Sequence, residues 1–155
     1  IARFANRKAE IRIIDDYAHH PTELHFALSS LAVDYRPENL FVVWEPHRAS
    51  RFLHFKEKFK QAFARFISLR QLYVAPLFDA GGEKEHFTQF ECNYETFVSE
   101  TAGRWPQGEE ELAEDISQRS QLSAVVFFGA GISTEYAFQF AEILRKQGSF
   151  TELDM

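Results

Sequence analysis

Asp15-Asp16-Tyr17-Ala18-His19-His20-Pro21-Thr22-Glu23 packs carboxylates and imidazoles between an apolar run at residues 11–14 and an amphipathic stretch beginning near Pro21. A segment that only packs has no use for such a density of charge. Asp15 and Asp16 carry oxygens able to bind a metal, accept a ribose hydroxyl or orient a base, with Asp16 the stronger candidate. The plain alternative is that one of them closes the next turn through its own side chain. His19 and His20 stand just before a helix start, where partial positive charge favours the neutral ring. A neutral ring hydrogen-bonds a substrate or ligates a metal, though the spacing matches no standard zinc pattern. His20 serves equally well as a substitute helix cap.

A second cluster, Glu45-Pro46-His47-Arg48-Ala49-Ser50-Arg51, also precedes a helical pattern. Arginine at a helix N-terminus opposes the macrodipole. Two of them beside free backbone N–H groups make an anion site, and a guanidinium fork suits a carboxylate or a phosphate. The bland reading is a solvated pair. Gly129-Ala130-Gly131 is a weak phosphate-loop signal, since a plain strand–helix turn asks for the same residues. Cys92 has no triad partner nearby in sequence and receives no role.

The elements that must position these groups follow from periodicity. Two short extended pieces flank Asn6-Arg7-Lys8, the second running over residues 11–15. Pro21 suits the first helical position, and Leu24, Ala27, Leu28 and Leu31 recur at helical spacing to about residue 33. Leu40-Phe41-Val42-Val43-Trp44 is a strand apolar on both faces, ended by Pro46. Ser50 is a candidate cap for the next helix, where Phe52, Phe55, Phe59, Phe63 and Phe66 form one stripe that reads as core rather than as an aromatic cage. Residues 72–75 and 122–128 are further buried strands. A surface loop is expected over 77–91, and helices over 94–102, 109–118 and 134–146. Strands alternating with helices predict one α/β domain on a mostly parallel sheet. Ligands of such sheets bind beyond the carboxyl ends of the strands. The Asp15–His20 segment, the Glu45–Arg48 segment and the glycine turn all fall at those ends.

Composition narrows the class. The 155 residues suit a single core, with 45% hydrophobic side chains and 17 phenylalanines. A net charge of −6 argues against a nucleic-acid footprint. The single cysteine excludes an internal disulfide and fits a reducing compartment. No apolar run is long enough for a transmembrane helix, so no membrane partner is expected. The chain begins at Ile1 without a signal pattern, and it reads as a piece of something longer.

In order and spacing, the Asp15–Glu23 and Glu45–Arg51 motifs with Gly129-Ala130-Gly131 resemble the C-terminal domain of the Mur ligases, most closely the branch joining L-alanine to UDP-N-acetylmuramate. The first two motifs are specific and the third is not. The resemblance implies a Rossmann-like, mostly parallel six-stranded sheet flanked by helices. It implies ATP-dependent amide-bond formation in the bacterial cytoplasm, with ATP and Mg2+ as cofactors and the metal held mainly by a central domain outside this chain. By position, Asp16 and Tyr17 line the ATP site. His19, Arg48 and Arg51 hold the L-alanine carboxylate, with His47 close by. No residue of the chain is assigned a catalytic or metal-ligating role.

Several positions depart from the family pattern. Glu45 stands where the family usually has Gln, and Trp44 where it has Phe. Phe78-Asp79-Ala80-Gly81-Gly82-Glu83 only loosely matches a Tyr-Ala-x-Gly-Glu segment, and Ile132-Ser133 follows the glycine turn in place of an acidic residue. A ligase recycling a muropeptide-derived tripeptide is the alternative within the family. Outside it stand a small-anion binding module and a metal-dependent hydrolase using Asp15, His19 and His20. The P-loop and UDP-sugar domain, absent from these residues, are expected upstream of Ile1, so the fragment is expected to fold without catalysing ligation.

Overall fold

A computed structural model describes residues 1–79, 81 and 83–154. Ala80 and Gly82 of the loosely matching segment lie outside the described residues. The chain is one α/β sandwich. Its seven-stranded sheet comprises β1 (Ala2–Ala5), β2 (Glu10–Asp16), β3 (Leu40–Trp44), β4 (Leu72–Val74), β5 (Gly103–Arg104), β6 (Leu122–Phe128) and β7 (Thr151–Glu152), in the order β5-β4-β3-β6-β2-β1-β7. The five strands from β5 to β2 run parallel, and β1 and β7 add an antiparallel margin. The six strands expected become seven at the edges. β5 and β7 are two residues long and carry no apolar run, so periodicity gives no sign of them.

Five helices cover the two faces: α1 (Pro21–Leu31), α2 (Ala49–Ala64), α3 (Phe87–Ser99), α4 (Glu109–Ser117) and α5 (Ser133–Gln147). The alternation of β3 sorts the core into two layers. Phe41 and Val43 join Trp105 with α4 and α5, while Leu40, Val42 and Trp44 join α1, α2 and α3. The phenylalanine stripe of α2 is core, as expected. Phe52, Phe59 and Phe63 are fully buried and Phe55 and Phe66 partly so, each buried ring contributing about 2–3 kcal/mol.

α3 corrects the loop expected over 77–91. The helix begins at Phe87, preceded by a 3-10 turn at Lys84–His86, because Phe90, Tyr94 and Phe97 form one buried stripe. The tyrosine hydroxyl fixes the helix against the sheet by donating to the carbonyl oxygens of Val74 (3.2 Å) and Ala75 (3.0 Å). Pro21 occupies the first turn of α1. His20 is its cap, with Nδ1 accepting from the Thr22 N–H at 3.4 Å while the Glu23 carboxylate accepts from the His20 N–H at 3.0 Å.

Candidate functional site at the carboxyl rim of the sheet

Parallel pairing places the ends of β2, β3 and β6 side by side, with Asp16 opposite Phe128 and Trp44 opposite Phe128 in register. The chain leaves the sheet at this rim in three turns that brace one another. The Gly129 N–H donates to the Asp16 carbonyl at 3.2 Å, and the Glu45 N–H donates to the Phe128 carbonyl at 2.9 Å.

At the end of β2, Asp15 and Asp16 are both engaged. Asp16 Oδ1 accepts from the Ala18 N–H at 2.8 Å, and Asp15 Oδ2 accepts from the Thr134 hydroxyl at 2.7 Å. Tyr17 projects outward and is 70% exposed. The His19 ring lies across Tyr17 (centroids 5.2 Å apart), and its Nδ1 is 3.0 Å from the Tyr17 carbonyl oxygen. A carbonyl oxygen only accepts, so Nδ1–H donates to it, and the Nε2 of a neutral ring is an acceptor.

His19 meets the second cluster directly. Its ring stands edge-on to His47 at 5.4 Å, and His47 stacks on Phe78 at 5.6 Å with 12° between the planes. Arg51 Nη1 lies 3.2 Å from His47 Nδ1. A guanidinium only donates, so Nδ1 is the acceptor and a neutral ring keeps its proton on Nε2. Burial lowers the His47 pKa, and the nearby positive charge of Arg51 lowers it further. His19, His47 and Arg51, 32 positions apart at the extremes of the sequence span, thus share one spot at the start of α2.

Arg48 is held differently. It precedes the first residue of α2 with φ 65°, an uncommon backbone for a side chain of its size. Its Nε and Nη2 both lie 3.3 Å from Glu83 Oε1. Glu83 is buried, and its other oxygen accepts from the Ser50 N–H at 3.2 Å. Ser50 was expected to cap α2. Instead its hydroxyl donates to Glu83, which does the capping from a distant loop. The Ser50 hydroxyl, chiefly, holds the Glu83 carboxyl below its usual range.

Glu45 explains the glycine turn. Its carboxylate is 1% exposed and accepts from the N–H groups of Gly131 (3.0 Å) and Ile132 (3.2 Å) at the start of α5. The two backbone donors that a phosphate would seek are therefore committed to an internal carboxylate. Burial nonetheless raises the Glu45 pKa, against the pull of those hydrogen bonds. Gly129 is required by close approach, since a Cβ there would lie 2.8 Å from Glu45 Oε1 and 2.9 Å from Ser133 Cβ.

Phe78, Glu83 and the bonding of Glu45 were not assigned roles from sequence. The one available signal was the loose Phe78–Glu83 match. Among the described residues, no three His, Cys, Asp or Glu side chains converge on a point able to hold a metal ion. The Asp15, His19 and His20 hydrolase reading is therefore unsupported, with His20 committed to its cap. The donor set also does not fit a Mg2+ site. Among the described residues, the glycine turn is not open to the phosphates of ATP, because Glu45 takes the N–H groups of Gly131 and Ile132.

A model of the Mur ligase, glutamate ligase domain, matches residues 2–131. The chain belongs to this family. A UDP-N-acetylmuramate–L-alanine ligase of Fusobacterium nucleatum is 29% identical over 146 residues, covering 91% of this chain and 29% of that protein. One of Leuconostoc citreum is 29% identical over 144 residues, covering 92% and 30%. The chain thus spans about three tenths of the length of the curated relatives it matches. The crystal structure of a UDP-N-acetylmuramate–alanine ligase from Thermotoga maritima superposes with a TM-score of 0.54 at 21% identity, over 88% of this chain and 27% of that one, which shows the shared fold.

Proposed function

We propose that this domain forms the amino-acid-binding wall of an ATP-dependent ligase that joins L-alanine to UDP-N-acetylmuramate in the bacterial cytoplasm. The UDP-sugar site and the phosphate and Mg2+ machinery lie in an N-terminal and a central domain outside this chain. The observation that carries this reading is the convergence of His19, His47 and Arg51 at the start of α2, beside Arg48.

In this reading the Arg51 guanidinium holds the carboxylate of the incoming amino acid, and His47 donates to it from Nε2. His19 flanks the same carboxylate, and Arg48, paired with Glu83, stands beside it. Asp16 and Tyr17, at the neighbouring strand end, face the nucleotide. ATP converts the muramoyl carboxylate to an acyl phosphate, and the amino group displaces phosphate from it to form the amide. The domain's contribution is to hold that amine in attacking position, which replaces an encounter in solution by a local one.

The test is steady-state kinetics of the full-length enzyme carrying Arg51→Ala. The KM for L-alanine should rise about tenfold or more, the worth of one charged hydrogen-bonded pair. The KM for UDP-N-acetylmuramate should stay within about twofold of the parent. Equal changes in both constants would overturn the assignment.

A further inference from the structure

The two arginines of the rim do not carry equal charge toward a ligand. Arg48 is matched by Glu83 at 3.3 Å through both Nε and Nη2. Glu83 reaches the N-terminus of the sixteen-residue helix α2, where it also takes the Ser50 N–H and hydroxyl. It therefore occupies the guanidinium and one of the amides that an incoming carboxylate would otherwise use. Arg51 has no carboxylate within ion-pair distance among the described residues, and its polar contact is the neutral ring of His47.

We propose that Glu83 sets the charge count of this site and through it the class of amino acid accepted. With Arg48 neutralised, one guanidinium remains open, and the site takes amino acids with a single free carboxylate in preference to dicarboxylic ones. This rests on the reading of the rim as an amino-acid site. A dicarboxylic amino acid seated on Arg51 brings its second carboxylate toward Arg48, three positions earlier at the helix start. There it meets Glu83 already in place. It must then either displace a buried, triply hydrogen-bonded carboxylate or remain desolvated beside a like charge. Glu83 is accordingly a positioning residue that acts through Arg48 and the end of α2.

The experiment compares the inhibition constant of L-aspartate, as competitor of L-alanine, with the KM for L-alanine in the full-length ligase. Glu83→Gln keeps an acceptor for the Ser50 N–H but removes the charge. It should narrow the ratio of the two constants by about fivefold or more, the effect of freeing the partly exposed charge of Arg48, and mainly by tighter L-aspartate binding. Adding Arg48→Met to Glu83→Gln returns the site to one open cation and should restore the ratio. Glu83→Asp, which keeps the charge, should preserve it. An unchanged ratio in Glu83→Gln at unaltered melting temperature overturns the proposal.

If Glu83→Gln fails to fold, Arg48→Met alone decides. It leaves Glu83 unpaired and should widen the ratio, and no widening overturns the proposal. The rim reading fails separately, by an L-alanine KM that does not respond to Arg51→Ala.

Discussion

The Glu45 carboxylate accepts the backbone N–H of Gly131 at 3.0 Å across 86 positions of sequence, joining the strand end that carries His47 to the turn that opens α5. Burial of this carboxylate, against the pull of the contact, makes stability depend on pH in a direction opposite to most carboxylates. Burial raises the Glu45 pKa above its ordinary value near 4.5, so the folded chain keeps this proton over a range where the unfolded chain has lost it. The stability this supplies is present in full below the unfolded value and is lost as pH rises through the folded value. The melting temperature of the parent relative to Glu45→Gln should therefore fall as pH climbs through that range. A difference that stays flat or grows would refute the sign. Glu45→Ala, which leaves the Gly131 and Ile132 donors unmatched, should cost about 2–4 kcal/mol in urea unfolding.

Gly131 touches the site from its other side. A Cβ on it would sit 2.3 Å from the Phe78 ring, the same ring that stacks on His47. Gly131→Ala should displace Phe78 and loosen His47, raising the L-alanine KM of the full-length enzyme several-fold while kcat falls less. Phe78→Ala removes the same support. The double variant should therefore be markedly less impaired than the product of the two single effects. Independent, multiplying effects would show that the glycine acts by another route.

The approach of Arg51 to His47 predicts a titration. Burial first, and the Arg51 charge second, hold the His47 pKa below 6.5. For a histidine lowered on folding, the associated stability is present above the unfolded pKa and is lost as pH falls through the folded one. Following the His47 ring by NMR should give a midpoint below 6.5. In Arg51→Ala the midpoint should move up, because the second-largest cause of the lowering is removed. A midpoint indifferent to Arg51 would mean that the guanidinium and ring do not interact in solution.

Local pattern made much of this molecule readable in advance. The phenylalanines of α2 recur at three and four, and β3 and β6 are continuous apolar runs, so helix and strands follow from period alone. The Asp15–Glu23 and Glu45–Arg51 motifs were legible as neighbours on one rim because charge is dense where strands end. Glu83 was not. Its role depends on a loop returning 33 positions later to cap α2, a pairing no local rule foresees. Ser50 was read as a cap for the same reason, since the sequence next to a helix start cannot show that a distant carboxylate has taken the place. Gly129-Ala130-Gly131, a weak phosphate-loop signal by sequence, is a strand–helix turn whose donors go to Glu45, 86 and 87 positions away, beyond the reach of a local pattern.

Trp44 has packing and polar consequences that can be measured separately. Its ring packs among Phe59 (4.5 Å between centroids), Phe63 (5.4 Å) and Phe97 (5.6 Å), at the end of β3 and directly before Glu45. Its indole N–H is buried without an acceptor among the described residues. A buried unmatched donor costs about 1–3 kcal/mol. Trimming the indole to a phenyl ring forfeits packing worth a similar amount, about 1–3 kcal/mol. The two effects oppose each other, so Trp44→Phe should change unfolding free energy by no more than about 1 kcal/mol. Phe63→Ala, in the same cluster and with no polar atom to relieve, should cost about 3–5 kcal/mol. Urea midpoints of the two variants, measured with unchanged slope, separate these outcomes. A loss in Trp44→Phe as large as that in Phe63→Ala would mean that the indole N–H is satisfied in solution and that packing alone decides the position.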